Sequence, residues 1–343
     1  MHKIGIIGAT GYTGSELVRL LHAHPEVEIS TITSETHKGK AFSDIHPQFT
    51  GLVDITLESA QDIEKRKLDL IFLALPHGVS MDFVKKLSAS SAKIIDLSGD
   101  FRLSSKEVYE SWYQKEHTYP DGFNDAVFGL PELYRSAIRK AKLVANPGCF
   151  PTGAILATSP LLKENLIEPD RIFIDSKTGV TGAGIKSKDV THFPNVNDNF
   201  KAYGIKKHRH TIEIQETISH FAGRQATIQF TPHLLPVDRG ILTSAYAIPV
   251  KKTSANEIKT LFEEYYGSES FIRLRKSSPE LKNIRGTNLV DIYPEYDERT
   301  GNIMVFAALD NLVKGAAGQA IQNMNIMLGI PEQTALDIIP LQP

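Results

Sequence analysis

The 343-residue chain carries 38 Lys and Arg against 40 Asp and Glu, a formal net charge of −2, with 41% hydrophobic residues, twelve histidines and one cysteine. So even a balance excludes the strongly basic footprint of a nucleic-acid partner, and one cysteine with no HExxH spacing among the histidines excludes an internal disulfide and the familiar zinc patterns, so no metal is expected. The length suits two domains with a core each; with no signal segment before "KIGIIGA" and no apolar run of membrane-spanning length, the expected setting is the cytoplasm and the expected partner a small molecule.

The first half alternates apolar runs with helical stretches, the pattern of a parallel α/β sheet covered on both faces. "KIGIIGA" predicts the first strand, and "TGSELVRLLHAHP" a helix through Leu17, Leu20 and Leu21 that stops at Pro25. Between them "GATGYTG" places Gly8, Gly11 and Gly14 so that a pyrophosphate can approach bare backbone and rest on amides at the helix start. Thr10, Tyr12 and Thr13 complete that turn and are counted with the cofactor site. "VEISTITS" is the second strand, closing a βαβ unit, which is the context this glycine pattern requires. Its end carries Glu35, suited to a ribose 2′-hydroxyl, beside Ser34, Lys38 and Lys40, suited to a 2′-phosphate; the second set points to NADP.

"LDLIFLALP", "AKIIDLSG" and "KLVANPG" predict three further strands. Just beyond the last, "ANPGCFPTGAILA" puts the lone Cys149 in a turn before a helix whose first turn holds Pro151. Exposed amides and the helix dipole favour the thiolate there, at the edge where open α/β sheets bind ligands. A thiolate working with a nicotinamide implies attack on an activated carbonyl, a thioester and hydride transfer.

From about residue 150 the pattern changes. A helix through "TGAILATSPLLKEN" gives way to long alternating runs, "ATIQFTPHLLPV", "GILTSAYAIPV" and "NIMVFAALDN", with a hairpin turn at "ERTGN", predicting a mainly antiparallel sheet. "TIEIQETISHF" and "ANEIKTLFEEYYG" read as amphipathic helices across it. In "KHRHTIEIQ", His208 and His210 flank Arg209 before a helix, and either could serve as the base; an extended stretch would turn both imidazoles to one side. The last helix, roughly 313–328, is apolar on one side through Ala316, Ala320, Met324 and Met327 and is expected to pack back on the first domain. The predicted domains are 1–148 with 313–343, and 149–312.

Taken together, "GATGYTGSELVRLL", "LALPHG", "DLSGDFRL", "GLPELYR", "ANPGCFPTGAILA", "SKTGVTGAG", "KHRHTIEI", "TPHLLPVDRGI" and "DNLVKGAAGQAIQN" resemble the N-acetyl-γ-glutamyl-phosphate reductases of arginine biosynthesis, over essentially the whole chain. Broader relatives are the aspartate-semialdehyde and glyceraldehyde-phosphate dehydrogenases. The resemblance implies a Rossmann-type doubly wound sheet plus an α+β catalytic and dimerisation domain, NADPH as reductant, and homodimers or tetramers built through the second sheet. It further implies that Cys149 attacks the acyl phosphate and that His210 is the acid/base residue. Arg102, Arg209, His208, Tyr203 and Glu213 carry over as residues that bind substrate or orient the base. Pro76, Gly78, Ser98, Gly182 and Asn311 carry over as cofactor contacts. Gly99 stands where many members have alanine. Competing readings are a reductase of a carrier-linked aminoadipyl phosphate in lysine biosynthesis, an aspartate-semialdehyde dehydrogenase, and a non-catalytic NADP-binding sensor.

Overall fold

A computed structural model describes residues 1–341; Gln342 and Pro343 lie outside the described residues. The chain divides into two compact units, Met1–Pro147 with Ala316–Asp337, and Gly148–Gly315 with the tail from Ile338.

In the first unit the chain runs through β1 (His2–Ile7), α1 (Tyr12–Leu21), β2 (Val27–Thr33), a short α2 (Phe42–Ile45), β3 (Leu70–Leu73), α3 (Ser80–Leu87), β4 (Lys93–Asp96), α4 (Lys106–Tyr113), a short α5 (Gly122–Asp125), β5 (Ala126–Phe128), α6 (Pro131–Lys140) and β6 (Leu143–Ala145). The six strands form one all-parallel sheet in the order β2-β1-β3-β4-β6-β5. Strand order reverses between β1 and β3, which opens the crevice where such sheets hold ligands. The five predicted strands are all present; β5, only three residues long, is an addition. β3 is buried at every position, as a strand covered on both faces must be.

The second unit contains α7 (Cys149–Lys163), β7 (Ile167–Thr178), a short α8 (Phe193–Val196), β8 (Lys201–Ala202), α9 (His210–Ala222), β9 (Ile228–Leu234), β10 (Ile241–Pro249), α10 (Ala255–Tyr266), β11 (Ile272–Leu274), β12 (Val290–Asp297) and β13 (Asn302–Leu309). Its sheet, ordered β11-β12-β13-β10-β7-β9-β8, is antiparallel except at the β11/β12 and β7/β9 pairs. The hairpin at "ERTGN" joins β12 to β13. α7 packs on β7, β10, β12 and β13, α10 on β11 and β12, and α9 on β9 and α7. The face under α7 is small and apolar, Thr243, Ala245 and Ala247 on β10 with Ile172 and Ile174 on β7.

The chain then returns to the first unit. A π-turn over Val313–Ala317 leads into α11 (Gly318–Leu328), which packs on α1, α6 and β4. The expectation of one apolar side needs correction: Gly318–Met327 is buried all round, including Gln319, Gln322, Asn323 and Asn325. The polar side is tolerated because its amides are bonded. Asn323 Nδ2 donates to the Gly129 carbonyl at 2.8 Å and to Asn146 Oδ1 at 3.0 Å, and Asn325 Nδ2 donates to the Thr334 carbonyl at 3.0 Å.

Candidate functional site

The glycine turn separates what the fold needs from what it leaves free. Gly8 sits at φ +87°, and a Cβ there would lie 2.5 Å from the Ala74 carbonyl oxygen; a Cβ on Gly14 would lie 2.5 Å from the Gly8 carbonyl oxygen. Both glycines are demanded by backbone packing. Gly11 is different: at φ −80°, ψ 168° it caps α1 in ordinary extended geometry, and a Cβ there meets nothing within 4 Å. The helix start it opens has no side-chain cap and no acidic residue in its first turn, so its amide donors remain available to an anion. A cradle kept empty of side chains, before uncapped amides, fits the pyrophosphate of a nicotinamide dinucleotide.

At the end of β2 the two alternatives part. Glu35 is turned away, accepting hydrogen bonds from the Ala60 N–H at 2.9 Å and the Ser59 hydroxyl at 3.2 Å. Ser34 Oγ instead lies 3.1 Å from Thr10 Oγ1 in the glycine turn, and Lys38 and Lys40 are exposed in the turn that follows. Tyr12 is exposed and Thr13 half-buried at the mouth of α1.

After β3 and β4, Pro76 is exposed, and Gly78, at φ +79°, has its N–H held by both carboxylate oxygens of buried Asp100 at 2.7 and 2.9 Å. His77 Nδ1 accepts the Gly99 N–H at 2.7 Å, so the two loops are laced together. The missing methyl at 99 has a local reason, since a Cβ there would lie 2.0 Å from the Tyr113 hydroxyl. Ser98 is 1% exposed, donates to Asp96 at 2.8 Å and accepts from the Asp100 N–H at 3.1 Å. Burial, with the nearby Asp100 charge second, pushes the Asp96 carboxyl up to about 6. Arg102 is half-buried and donates to the Leu97 carbonyl at 2.8 Å. Asp96 and Asp100 of "DLSGDFRL" and His77 of "LALPHG" are given no role by the sequence; the packing of the two loops brings them together.

In the second unit Cys149 is the first residue of α7, half-buried rather than sealed, with no acidic residue in the helix's first turn. Its neighbour Phe150 is the hub of an aromatic cluster. The His208 ring lies 5.4 Å from Phe150 edge-on, His210 lies 5.8 Å from it, and Tyr203 lies 5.5 Å from His208. "KHRHT" is a turn rather than an extended stretch, and α9 begins at His210. The rings still converge, 4.9 Å apart, because the His210 N–H donates to His208 Nδ1 at 3.2 Å. An accepting Nδ1 fixes the neutral His208 ring with its proton on Nε2. Burial, with the Arg209 charge second, pulls His208 down to about 4. Burial, and then the charge of Cys149, push the Tyr203 phenol well above its ordinary value, so it remains a donor. Arg209 is exposed on the turn.

Glu213 lies beside the turn that carries the thiol. It is 1% exposed, and its Oε1 accepts the Gly148 N–H at 2.7 Å, so it holds the turn before Cys149 from behind. Asn311 is also held by the protein. Its Oδ1 accepts the Gly240 N–H at 2.8 Å and its Nδ2 donates to Thr181 at 2.9 Å, which anchors the 179–184 loop. Gly182 in that loop is exposed, and a Cβ there would meet nothing nearer than 3.7 Å. Gly315, which lies in "DNLVKGAAGQAIQN" but is given no role by the sequence, presses on Cys149: a Cβ there would lie 2.7 Å from Cys149 Cβ. Among the described residues no group of His, Cys, Asp and Glu could hold a metal ion, and no helix is long and apolar enough to cross a membrane.

Comparison with known proteins matches residues 3–141 to the family model "semialdehyde dehydrogenase, NAD binding domain" and residues 149–311 to "semialdehyde dehydrogenase, dimerisation domain". Similar solved folds include aspartate semialdehyde dehydrogenase II of Vibrio cholerae, at 16% identity and TM-score 0.74 over 96% of this chain and 99% of that one. The Candida albicans aspartate semialdehyde dehydrogenase, solved with NADP, reaches TM-score 0.70 at 17% identity over 96% and 98%. These matches define the class, a nicotinamide-dependent oxidoreductase of the semialdehyde dehydrogenase type. Among curated relatives, the N-acetyl-gamma-glutamyl-phosphate reductase of Desulfotalea psychrophila is 50% identical over 348 residues, and that of Methanococcus maripaludis 46% identical over 346, each spanning 100% of both chains. The chain belongs to the semialdehyde dehydrogenase family, on the branch of its N-acetyl-γ-glutamyl-phosphate reductases.

Proposed function

We propose that the chain catalyses the NADPH-dependent reductive dephosphorylation of N-acetyl-γ-glutamyl phosphate to N-acetylglutamate semialdehyde, a step of arginine biosynthesis, as the names of its full-length relatives suggest. The observation that carries the reading is the half-buried thiol at the start of α7, backed by an imidazole cluster gathered on Phe150.

Cys149 attacks the acyl carbon; the C–S bond forms, the carbon–oxygen bond to phosphate breaks, and phosphate leaves with that electron pair. The helix-start amides around Cys149 favour the thiolate and are placed to stabilise negative charge developing on the carbonyl oxygen. His210 is the base that relieves the thiol of its proton and the acid that passes it to the departing phosphate; once the carbon is at the aldehyde level the C–S bond breaks, sulfur leaves with the electron pair as thiolate, and the aldehyde is released. His208, held neutral, keeps a donor at Nε2, and Tyr203 keeps its hydroxyl proton; both orient the substrate, with Arg102 and Arg209 as cations for its phosphate and carboxylate. When bound, the dinucleotide supplies the hydride that takes the thioester carbon to the aldehyde level. Gly8, Thr10, Gly11, Tyr12, Thr13 and Gly14 would hold its pyrophosphate, Pro76, Gly78 and Gly182 would line its approach, and Ser34, Lys38 and Lys40 would take the 2′-phosphate. NADP over NAD is supported by Glu35, whose carboxylate is already bound by Ala60 and Ser59.

The long helices α7, α9 and α10 lie on one face of the second unit's sheet; the other presents Phe173, Tyr246 and Ile248 to solvent, which supports assembly into a homo-oligomer. The deciding assay runs backwards, following NADP reduction with N-acetylglutamate semialdehyde and phosphate. Phosphate-dependent absorbance growth supports the reading; none, with cofactor binding intact, refutes it.

A further inference from the structure

One cation at the carboxyl edge of the parallel sheet has no part in the chemistry above. Lys115 follows α4, and the end of its side chain lies across the loop after β3: a Cβ on Gly78 would run into Lys115 Cδ, Cε and Nζ. The lysine is exposed, and among the described residues its ammonium makes no hydrogen bond or ion pair. Arg102, on the neighbouring loop, instead spends a donor on the Leu97 carbonyl at 2.8 Å. A lysine with no partner ordinarily extends its head into water, where its rotamers stay free.

The chain on both sides of Lys115 is built to lay it there. Gln114 ends α4 in the left-handed region at φ +52°, unusual for a residue with a Cβ, and so turns the chain back over the loops. Before that turn, the Tyr113 ring stacks on Tyr109 at 4.5 Å, and the Tyr109 hydroxyl donates to Asp100 Oδ1 at 2.9 Å. After it, His117 Nε2 donates to the Asp100 carbonyl at 2.8 Å and the Thr118 hydroxyl to Asp82 at 2.7 Å. Asp100 also holds the Gly78 N–H, so one buried residue fixes both the loop and the strap that crosses it. The carboxylates of this neighbourhood are already bound: Asp100 by Gly78 and Tyr109, Asp82 by Thr118, and Glu110 by the His117 N–H at 3.0 Å and Lys106 at 3.5 Å.

The loop under Lys115 also borders the glycine turn, since Ala74, the first residue after β3, is what a Cβ on Gly8 would strike. We propose that Lys115 is a further ligand-binding residue, whose ammonium over Gly78 pairs with a phosphate group at this edge. The inference rests on the function proposed above and deepens it. That reaction brings two sources of the same anion, the diphosphate of the cofactor and the phosphoryl group of the acyl phosphate, and a compact charge on a flexible stem suits either.

The test compares Lys115→Met, which keeps the stem and removes the charge, with Lys115→Arg, which restores a cation, both in the full chain. NADPH affinity is titrated by nucleotide fluorescence, and the KM for inorganic phosphate is separated from kcat in the direction of NADP reduction. Lys115→Met is expected to melt as the wild type does and to lose about 10-fold or more in one of the two. A weaker NADPH titration assigns the lysine to the cofactor; a raised phosphate KM with kcat kept assigns it to the substrate. Lys115→Arg is expected to stay within about 3-fold of the wild type. No loss in either measurement, or a loss that arginine does not restore, shows a lysine that merely packs on Gly78 and overturns the inference. A wild type that binds NADPH but reduces no NADP with N-acetylglutamate semialdehyde and phosphate refutes the function proposed above, and the NADPH titration then still decides this inference.

Discussion

Replacing Gly11 and Gly14 separately by alanine distinguishes a glycine kept for the protein from one kept for its ligand. At Gly14 the new Cβ would lie 2.5 Å from the Gly8 carbonyl oxygen and 2.7 Å from Ala9 backbone atoms. Backbone cannot swing aside as a side chain can, so Gly14→Ala is expected to cost about 3 kcal/mol or more, at or above the usual range for overpacking, and to impair cofactor binding as a by-product. At Gly11 the Cβ meets nothing and φ is already negative. The lost freedom of the unfolded chain and the poorer helix cap roughly cancel, so Gly11→Ala is expected to change stability by less than about 1 kcal/mol. Its effect falls on the ligand, because the methyl occupies space an approaching pyrophosphate needs. A weakening of about 10- to 100-fold in NADPH affinity is expected, equivalent to about 1.4 to 2.7 kcal/mol. Thermal melts without cofactor, paired with titration of NADPH fluorescence, measure both quantities on the same samples. A Gly11→Ala protein of normal stability that binds NADPH as tightly as the parent would refute the placement of the pyrophosphate on α1.

Cys149→Ser is expected to abolish turnover while leaving NADPH affinity within about 2-fold, since the thiol supplies chemistry rather than binding; His210→Asn should lower the rate by about 100-fold or more, the usual scale of lost acid–base catalysis, and a larger loss in His208→Asn would reverse their roles. Gly315→Ala should displace Cys149, because its Cβ would stand 2.7 Å from the cysteine Cβ, slowing both turnover and iodoacetamide alkylation of the thiol without touching NADPH binding; parent-like alkylation would contradict this. The fourth expectation concerns pH. Asp96 is pushed up to about 6 in the folded chain from 3.8, so the native state holds its proton more tightly than the unfolded one. Its contribution is fully present below about 4 and is lost as pH rises through about 6, a change of at most about 3 kcal/mol. Asp96→Asn should flatten the pH dependence of stability in that window, and urea denaturation at several pH values that showed an unchanged slope would exclude Asp96 as its source.

Sequence periodicity carries local order and says little about direction across the fold. The strands of the nucleotide unit are legible because each is an apolar run bounded by turn residues, while β5 is too short to show a period. The glycine turn is legible for the same reason, since strand, turn and helix are contiguous. Ser98, Glu213 and Asn311 show the limit. Their internal partners leave no periodic signal: Ser98 bonds Asp96, Asn311 bonds Gly240, and Glu213 bonds Gly148, 65 positions away in sequence. Gly315 is invisible for a similar reason, because its function is to be absent from the space beside a cysteine far earlier in the chain. The π-turn that delivers it has no periodicity of its own.

The position of α11 sets the order in which the molecule can mature. The centre of the nucleotide unit is completed by a helix that leaves the ribosome after the whole of the other unit, so synthesis yields a finished C-terminal sheet while its N-terminal predecessor still waits for a missing wedge. Nascent chains arrested before Gly318 should therefore expose the floor of the unfinished half to chaperones, and a premature stop there would remove the cofactor's home rather than a dispensable tail.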